Sequence, residues 1–157
     1  MPLIIDDQKT EANSRLISIR LTMLTLRCME NWRRDVDDCE KALILVAVMA
    51  ISGERFTRGE ELEDELKTLR NALPPERLPR CNISSIASAT GLNRETARRK
   101  VLELAEAGIL VRQSGGMVSF QPGILEREET SQVMRKQLEA VVRVMNDLLR
   151  DGPVKIC

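Results

Sequence analysis

Between Asn93 and Lys100 the chain reads Asn-Arg-Glu-Thr-Ala-Arg-Arg-Lys, so every residue but Ala97 carries a hydrogen-bonding side chain. Such a run can do recognition chemistry. A guanidinium is a planar fork of donors that matches two adjacent acceptors, as on the O6/N7 edge of guanine, and a carboxylate can accept from a cytosine amine. By that logic Arg94 and Arg99 are candidate guanine readers and Glu95 a candidate cytosine reader. Asn93, Thr96, Arg98 and Lys100 would cap the element, hold phosphate or approach bases from the side. The same residues allow a plainer outcome, because Glu95–Arg99 and Arg99–Glu103 sit at the spacing of ordinary surface ion pairs. The surrounding elements must decide.

Bond-making chemistry has little to work with. The chain has no histidine, which removes the commonest acid–base group and metal ligand. Its four cysteines, Cys28, Cys39, Cys81 and Cys157, form no C-x-x-C pair, so no metal site is expected and the thiols read as reduced and mostly buried. No phosphate-binding glycine loop or nucleophile elbow is present. We therefore expect neither an enzyme nor a cofactor.

The elements that must position the 93–100 run are legible around it. Asn82 is a good N-cap for a helix in which Ile83, Ile86 and Ala87 share a face. Gly91 supplies a sharp turn and Leu92 a plug between helices. Asn93 then caps a second helix, ending near Ala107, with Ala97, Val101 and Leu104 inward and Glu95, Arg99 and Glu106 roughly opposite. Gly108 stops it. Ile109 to Val111 and Met117 to Phe120 read as two strands around Gln113-Ser114-Gly115-Gly116, a tight hairpin. Arg112, Gln113 and Ser114 lie at its tip, and Ser84 and Ser85 open the first helix where hydroxyls and amides can meet phosphate.

The stretch GLNRETARRKVLELAEAGIL resembles the recognition helix and first wing strand of bacterial winged-helix regulators. Its N-R-E-T-x-x-R core, Asn93 to Arg99, is most similar to the catabolite activator protein group. Arg94-x-Thr96-x-Arg98 with the closing E-A-G-I-L also looks like GntR regulators, and MarR regulators share the layout. The resemblance implies a winged helix-turn-helix whose helix enters the major groove of double-stranded DNA, with Arg94, Glu95 and Arg99 at base edges. Two departures stand out. No cyclic-nucleotide barrel or GntR effector domain accompanies the motif, and Lys100 stands where such helices carry an apolar residue.

Formal net charge is +0, so any nucleic-acid binding must come from a local patch. Aromatic residues make up only 2%, which suits a mainly α fold built from Leu, Ile, Val, Met and Ala, in one compact domain with extensions. Cys39 to Ser52 is strongly apolar, too short for a bilayer, and reads as the central buried helix with Gly53 as its stop. Within residues 54–80, Gly59 to Leu73 shows leucines at helical spacing, and Pro74, Pro75 and Pro79 favour an extended run. Leu3-Ile4-Ile5 lacks a basic lead and is followed by acids, so no signal peptide is expected and a cytoplasmic protein is.

Long helices are expected on both sides. Residues 7–34 carry Leu16, Ile19, Met23 and Leu26 in one stripe, and residues 126–150 carry Met134, Leu138, Val141, Met145 and Leu148 in a heptad-like seam, with a frayed tail after Gly152 and Pro153. The expected organisation is 1–35 and 124–157 for dimerisation and 36–123 for the winged helix-turn-helix with its insertion. A single such motif makes few base contacts, so a homodimer on a palindromic operator is expected. A small-molecule effector is left open. The alternative is a winged-helix protein–protein interaction module that binds no specific DNA.

Overall fold

The central helix of the fold starts at a cap. In a computed structural model that describes residues 1–59, 61–78 and 80–157 (Pro75 by its backbone alone), Asp38 Oδ1 accepts from the Lys41 amide at 3.0 Å. The cap opens α3 (Cys39–Thr57), and Ala42, Ile44, Leu45, Ala47 and Val48 on it are buried. The helix does not stop at Gly53, as the sequence suggests, but runs on to Thr57 with Arg58 as C-cap. A glycine inside a helix costs about 1 kcal/mol. The added turn offsets this by carrying Phe56 onto the face that already holds Met49 and Ser52.

Six α-helices and small antiparallel sheets make up the described residues, a mainly helical chain as expected. It divides into two compact units. One is Trp32–Gln132; the other combines Met1–Asn31 with Val133–Cys157.

In the unit Trp32–Gln132, α3 is followed by β2 (Cys81–Asn82), α4 (Ile83–Thr90), α5 (Arg94–Glu106), β3 (Leu110–Arg112) and β4 (Met117–Phe120). The sheet order is β2-β4-β3, all antiparallel, with Cys81 opposite Val118 and Leu110 opposite Phe120. The hairpin falls where the glycines indicate; the third strand, β2, is too short to show in the sequence. Ile44, Val48, Ile86, Ala97, Val101, Leu104, Leu110 and Val118 form a closed core, none more than 1% exposed. At about 1.5–3 kcal/mol per buried large aliphatic side chain, this core is what fixes α4 and α5 against α3.

The amphipathic helix expected over Gly59–Leu73 is absent. Within the described part of that stretch the only helical turn is a 3-10 turn at Asp64–Leu66, and a second 3-10 turn at Pro75–Arg77 replaces the expected extended run. Glu60 and Pro79, which belong to those two expectations, lie outside the described residues. Local side-chain bonds compete with the helix ladder here: Asn71 Nδ2 donates to the Glu65 carbonyl at 2.6 Å, and the Arg70 amide donates to Thr68 Oγ1 at 3.3 Å. Gly59 has φ +124, outside helical space. The leucines turn instead toward α3 and β4.

In the other unit, β1 (Leu3–Ile5) precedes α1 (Asp7–Ala12) and α2 (Ser14–Arg33); α6 (Glu128–Asp151) leads to β5 (Val154–Ile156). The first helix is broken at Asn13, whose Nδ2 takes the Lys9 carbonyl at 2.9 Å, so 7–34 is two helices rather than one. The tail after Pro153 is not frayed. β5 pairs antiparallel with β1, Leu3 opposite Ile156 and Ile5 opposite Val154, and Lys155 Nζ lies 3.1 Å from Asp6. Arg20 on α2 bonds Asp151 on α6 and lies 4.0 Å from Asp147. The Arg20 guanidinium holds the Asp151 carboxyl below its ordinary range.

Apolar burial in this unit is slight. α2 buries no residue, and α6 buries only Ala140 and Leu148. Leu16, Ile19, Leu21, Met23, Leu26, Met134, Leu138, Val141 and Val142 are each between 42% and 59% exposed. Two seam residues behave differently: Met145 is half-buried, and Leu148 is already covered within the chain, which removes it from any open face. Among the cysteines only Cys81 is buried; Cys28 is half-buried, and Cys39 and Cys157 are exposed, contrary to the mostly buried set expected. No helix among the described residues is long and apolar enough to cross a membrane.

Candidate nucleic-acid interface

The outer face of α5 is set by two caps and one glycine. Asn82 Oδ1 accepts from the Ser85 amide at 2.8 Å and starts α4. Gly91 ends it at φ +72, a left-handed conformation that only glycine adopts without strain, and its amide reaches the Ala87 carbonyl at 2.9 Å. Asn93 Oδ1 then accepts from the Glu95 amide at 2.9 Å and starts α5. With Ala97, Val101 and Leu104 sealed into the core, the helix can turn only one face outward, and that face carries Arg94, Glu95, Arg98 and Arg99, all exposed.

Their partners differ. Arg98 grips Glu95 with two nitrogens, at 2.9 and 2.5 Å, and this bond holds the Glu95 carboxyl below its ordinary range, so it stays ionised. Arg99 lies 4.0 Å from Glu103, too far for a hydrogen bond. Arg94 has no ion-pair partner among the described residues. Thr96 is half-buried at the flank. Ser84 is exposed on the first turn of α4, with Ser85 half-buried beside it.

Lys100 departs from the expectation of an open phosphate contact. Its ammonium bonds Asp38 Oδ2 and lies 3.7 Å from Glu40 and 3.9 Å from Glu103, with only 15% of the side chain exposed. A lysine at a position expected to be apolar is thus accommodated by a ring of carboxylates at the start of α3. Burial pushes the Asp38 carboxyl up, but the Lys100 ammonium and the amides of Lys41 and Glu40 outweigh it and leave the group below its ordinary range. Lys100 is correspondingly raised, first by Asp38. Lys41 closes the network, 3.1 Å from both Asp37 and Glu103. Nothing in the sequence links Asp38 to Lys100, which lies far along the chain.

At the hairpin, the Gln113 amide donates to the Met117 carbonyl at 2.8 Å, and Gly115 and Gly116 turn at φ +74 and +72. Arg112 and Ser114 are exposed. Gln113 points inward, its Nε2 donating to the buried Ser119 hydroxyl at 3.1 Å, so it braces the hairpin rather than standing at its tip. No group of His, Cys, Asp and Glu among the described residues is arranged to hold a metal ion. The chain matches no protein-family model, and neither the curated proteins nor the solved structures contain a significant match to it.

Proposed function

We propose that residues 81–120 form a winged helix-turn-helix and that the chain is a sequence-specific double-stranded-DNA-binding transcriptional regulator acting as a homodimer. The observation that carries this is α5 itself: its inner face is sealed while Arg94, Glu95, Arg98 and Arg99 stand in solvent on its first two turns, directly after the left-handed Gly91 turn. An α-helix that is anchored on one side and rich in donors on the other fits the major groove. Arg94 and Arg99 read guanine. Glu95 accepts from cytosine once Arg98 lets go of it and turns to phosphate; an exposed pair in high dielectric gives up little in that exchange. Ser84, Ser85, Arg112 and Ser114 meet the backbone. Lys100 positions the helix and is left out of the contact set.

The homodimer is supported by the apolar side chains left in solvent on α2 and α6. Each good bidentate base contact is worth about 1–3 kcal/mol, so one helix reads too little, and two-fold pairing doubles the set over a palindrome. Apolar stripes exposed to this extent fit a second copy of the same surface.

One observation favours the alternative of a protein–protein interaction module: Glu95 and Arg98 satisfy each other, in a chain of zero net charge. A gel shift against a pool of random duplexes separates the two. Salt-sensitive, sequence-selective retention is expected, with Arg99→Ala relaxing the preference at one base pair. Arg98→Ala should weaken all sequences alike and lower the salt slope by about one. Failure to retain any duplex at low salt leaves the interaction module.

A further inference from the structure

A cavity of about 200 Å³ lies inside the unit Trp32–Gln132, between one face of α3, the leucines of residues 62–78, and β4. Its wall is mostly apolar and uses both phenylalanines of the chain, Phe56 and Phe120, with Met49, Leu66, Leu69 and Leu125. A space of this size takes a single substituted ring; a dry cavity of ~150 Å³ holds benzene.

A second observation concerns the polar lining. Ser52 is 7% exposed and lines the cavity, and its Oγ makes no well-formed hydrogen bond among the described residues; the one polar group it acts on is the Cys81 thiol, a weak partner. A serine within a helix ordinarily bonds back to the carbonyl one turn before it. The nearby Cys81 thiol is directed to the Val118 carbonyl, 3.8 Å away, and burial pushes that thiol up, with the Ser52 hydroxyl opposing to a lesser degree. Most other polar groups of the wall are engaged elsewhere: Ser119 accepts from Gln113, Asn71 donates to Glu65, Thr68 accepts from Arg70, and Lys67 pairs with Asp64 at 2.6 Å, while the half-buried Glu126 brings a carboxylate to the rim. A water needs two or more polar partners, and Ser52 Oγ is the one fully buried polar atom of the wall left over among the described residues. A ligand with one hydrogen-bonding group and an apolar body satisfies it, and with Lys67 already paired and the Glu126 carboxylate on the wall a neutral molecule fits better than an anion.

We infer that this cavity is a binding site for a small neutral molecule, one ring or a short branched chain in size, anchored by a hydroxyl or N–H on Ser52 Oγ. Its position suggests what occupancy does. Ser119 and Phe120 belong to β4, and the Ser119–Gln113 bond ties the cavity wall to the hairpin turn. Filling the cavity therefore bears on the hairpin. That it alters DNA affinity rests on the function proposed above; that the cavity binds does not.

The test uses the full chain with two probes, p-cresol and toluene, followed by titration calorimetry and by leucine methyl shifts. p-Cresol should bind one to one with a dissociation constant below about 1 mM, roughly tenfold tighter than toluene because only p-cresol reaches the hydroxyl. Ser52→Ala should erase that difference and leave toluene binding intact, and Leu69→Phe should weaken both by filling the wall. Absence of binding by either probe, a p-cresol preference that survives Ser52→Ala, or affinity undiminished in Leu69→Phe would each overturn the site. Saturating p-cresol should then shift the gel-shift midpoint for selected DNA several-fold. An unchanged midpoint removes the regulation alone, and absence of any DNA binding removes the proposed function while leaving the cavity standing.

Discussion

The two units meet the demands of folding in opposite ways. In Trp32–Gln132, three helices and a sheet bury a shared set of aliphatic side chains almost completely. In the unit of Met1–Asn31 and Val133–Cys157, a long helix buries nothing, and order is maintained by strand pairing, Arg20 and Lys155. A few ion pairs within reach of water are weak holding devices, whereas each buried leucine is a strong one. The contrast teaches that the first unit closes its own core, while the second leaves its apolar stripes in water, which is the ground for the homodimer proposed above.

The sharpest way to break this contrast is to cut into each region. Leu104→Ala, at a site 1% exposed, should lower stability by about 2–5 kcal/mol in urea denaturation. On α2, Leu26→Asp should instead weaken dimerisation at least about a hundredfold, near 2.7 kcal/mol, in sedimentation equilibrium. A Leu26→Asp chain that dimerises as before would remove the second-surface argument. Asp38→Ala, which deletes a cap inside the well-packed unit, should cost about 1 kcal/mol, whereas Asp38→Asn keeps the cap and isolates the Lys100 pairing.

The same group sets an acid limb. Because the folded Asp38 carboxyl lies below the ordinary 3.8, its contribution is fully present above that pH and is lost as pH falls through the depressed value. Unfolding curves from pH 6 to pH 2 should show that loss in the native chain and a smaller one in Asp38→Asn. Smallest of all, Leu26→Ala in samples diluted to monomer should change stability by less than about 0.5 kcal/mol, as expected for a side chain already in water.

What could be read beforehand follows from the range of the forces. Asn82, Gly91 and Asn93 act on their own backbone or within three residues, so the caps and the turn are visible locally. Val101 and Leu104 show their burial through helical period. The β1–β5 pairing is invisible because two three-residue strands meet across nearly the whole chain, and nothing in Leu3-Ile4-Ile5 names Val154-Lys155-Ile156 as its partner. The 62–73 leucines mislead for a different reason: helical spacing is also the spacing at which a bent segment can line a cavity, and Asn71 and Thr68 tip the balance by bonding locally. The same distance problem hides Lys100, whose burial depends on Asp38.

The Lys100 network has a directional consequence. Asp37, Asp38, Glu40 and Glu103 outnumber Lys41 and Lys100 where α5 meets the start of α3, and Glu106 extends the acidity to the helix's far end. The opening turns of α5 have the opposite polarity, reinforced by the partial positive charge of a helix start. On the function proposed above, a duplex approaching this rod would be drawn to one end and repelled at the other, so docking would be steered before any base is read. Glu106→Lys should blur that steering and raise affinity for every duplex alike in gel shifts; a gain confined to one sequence would argue against it.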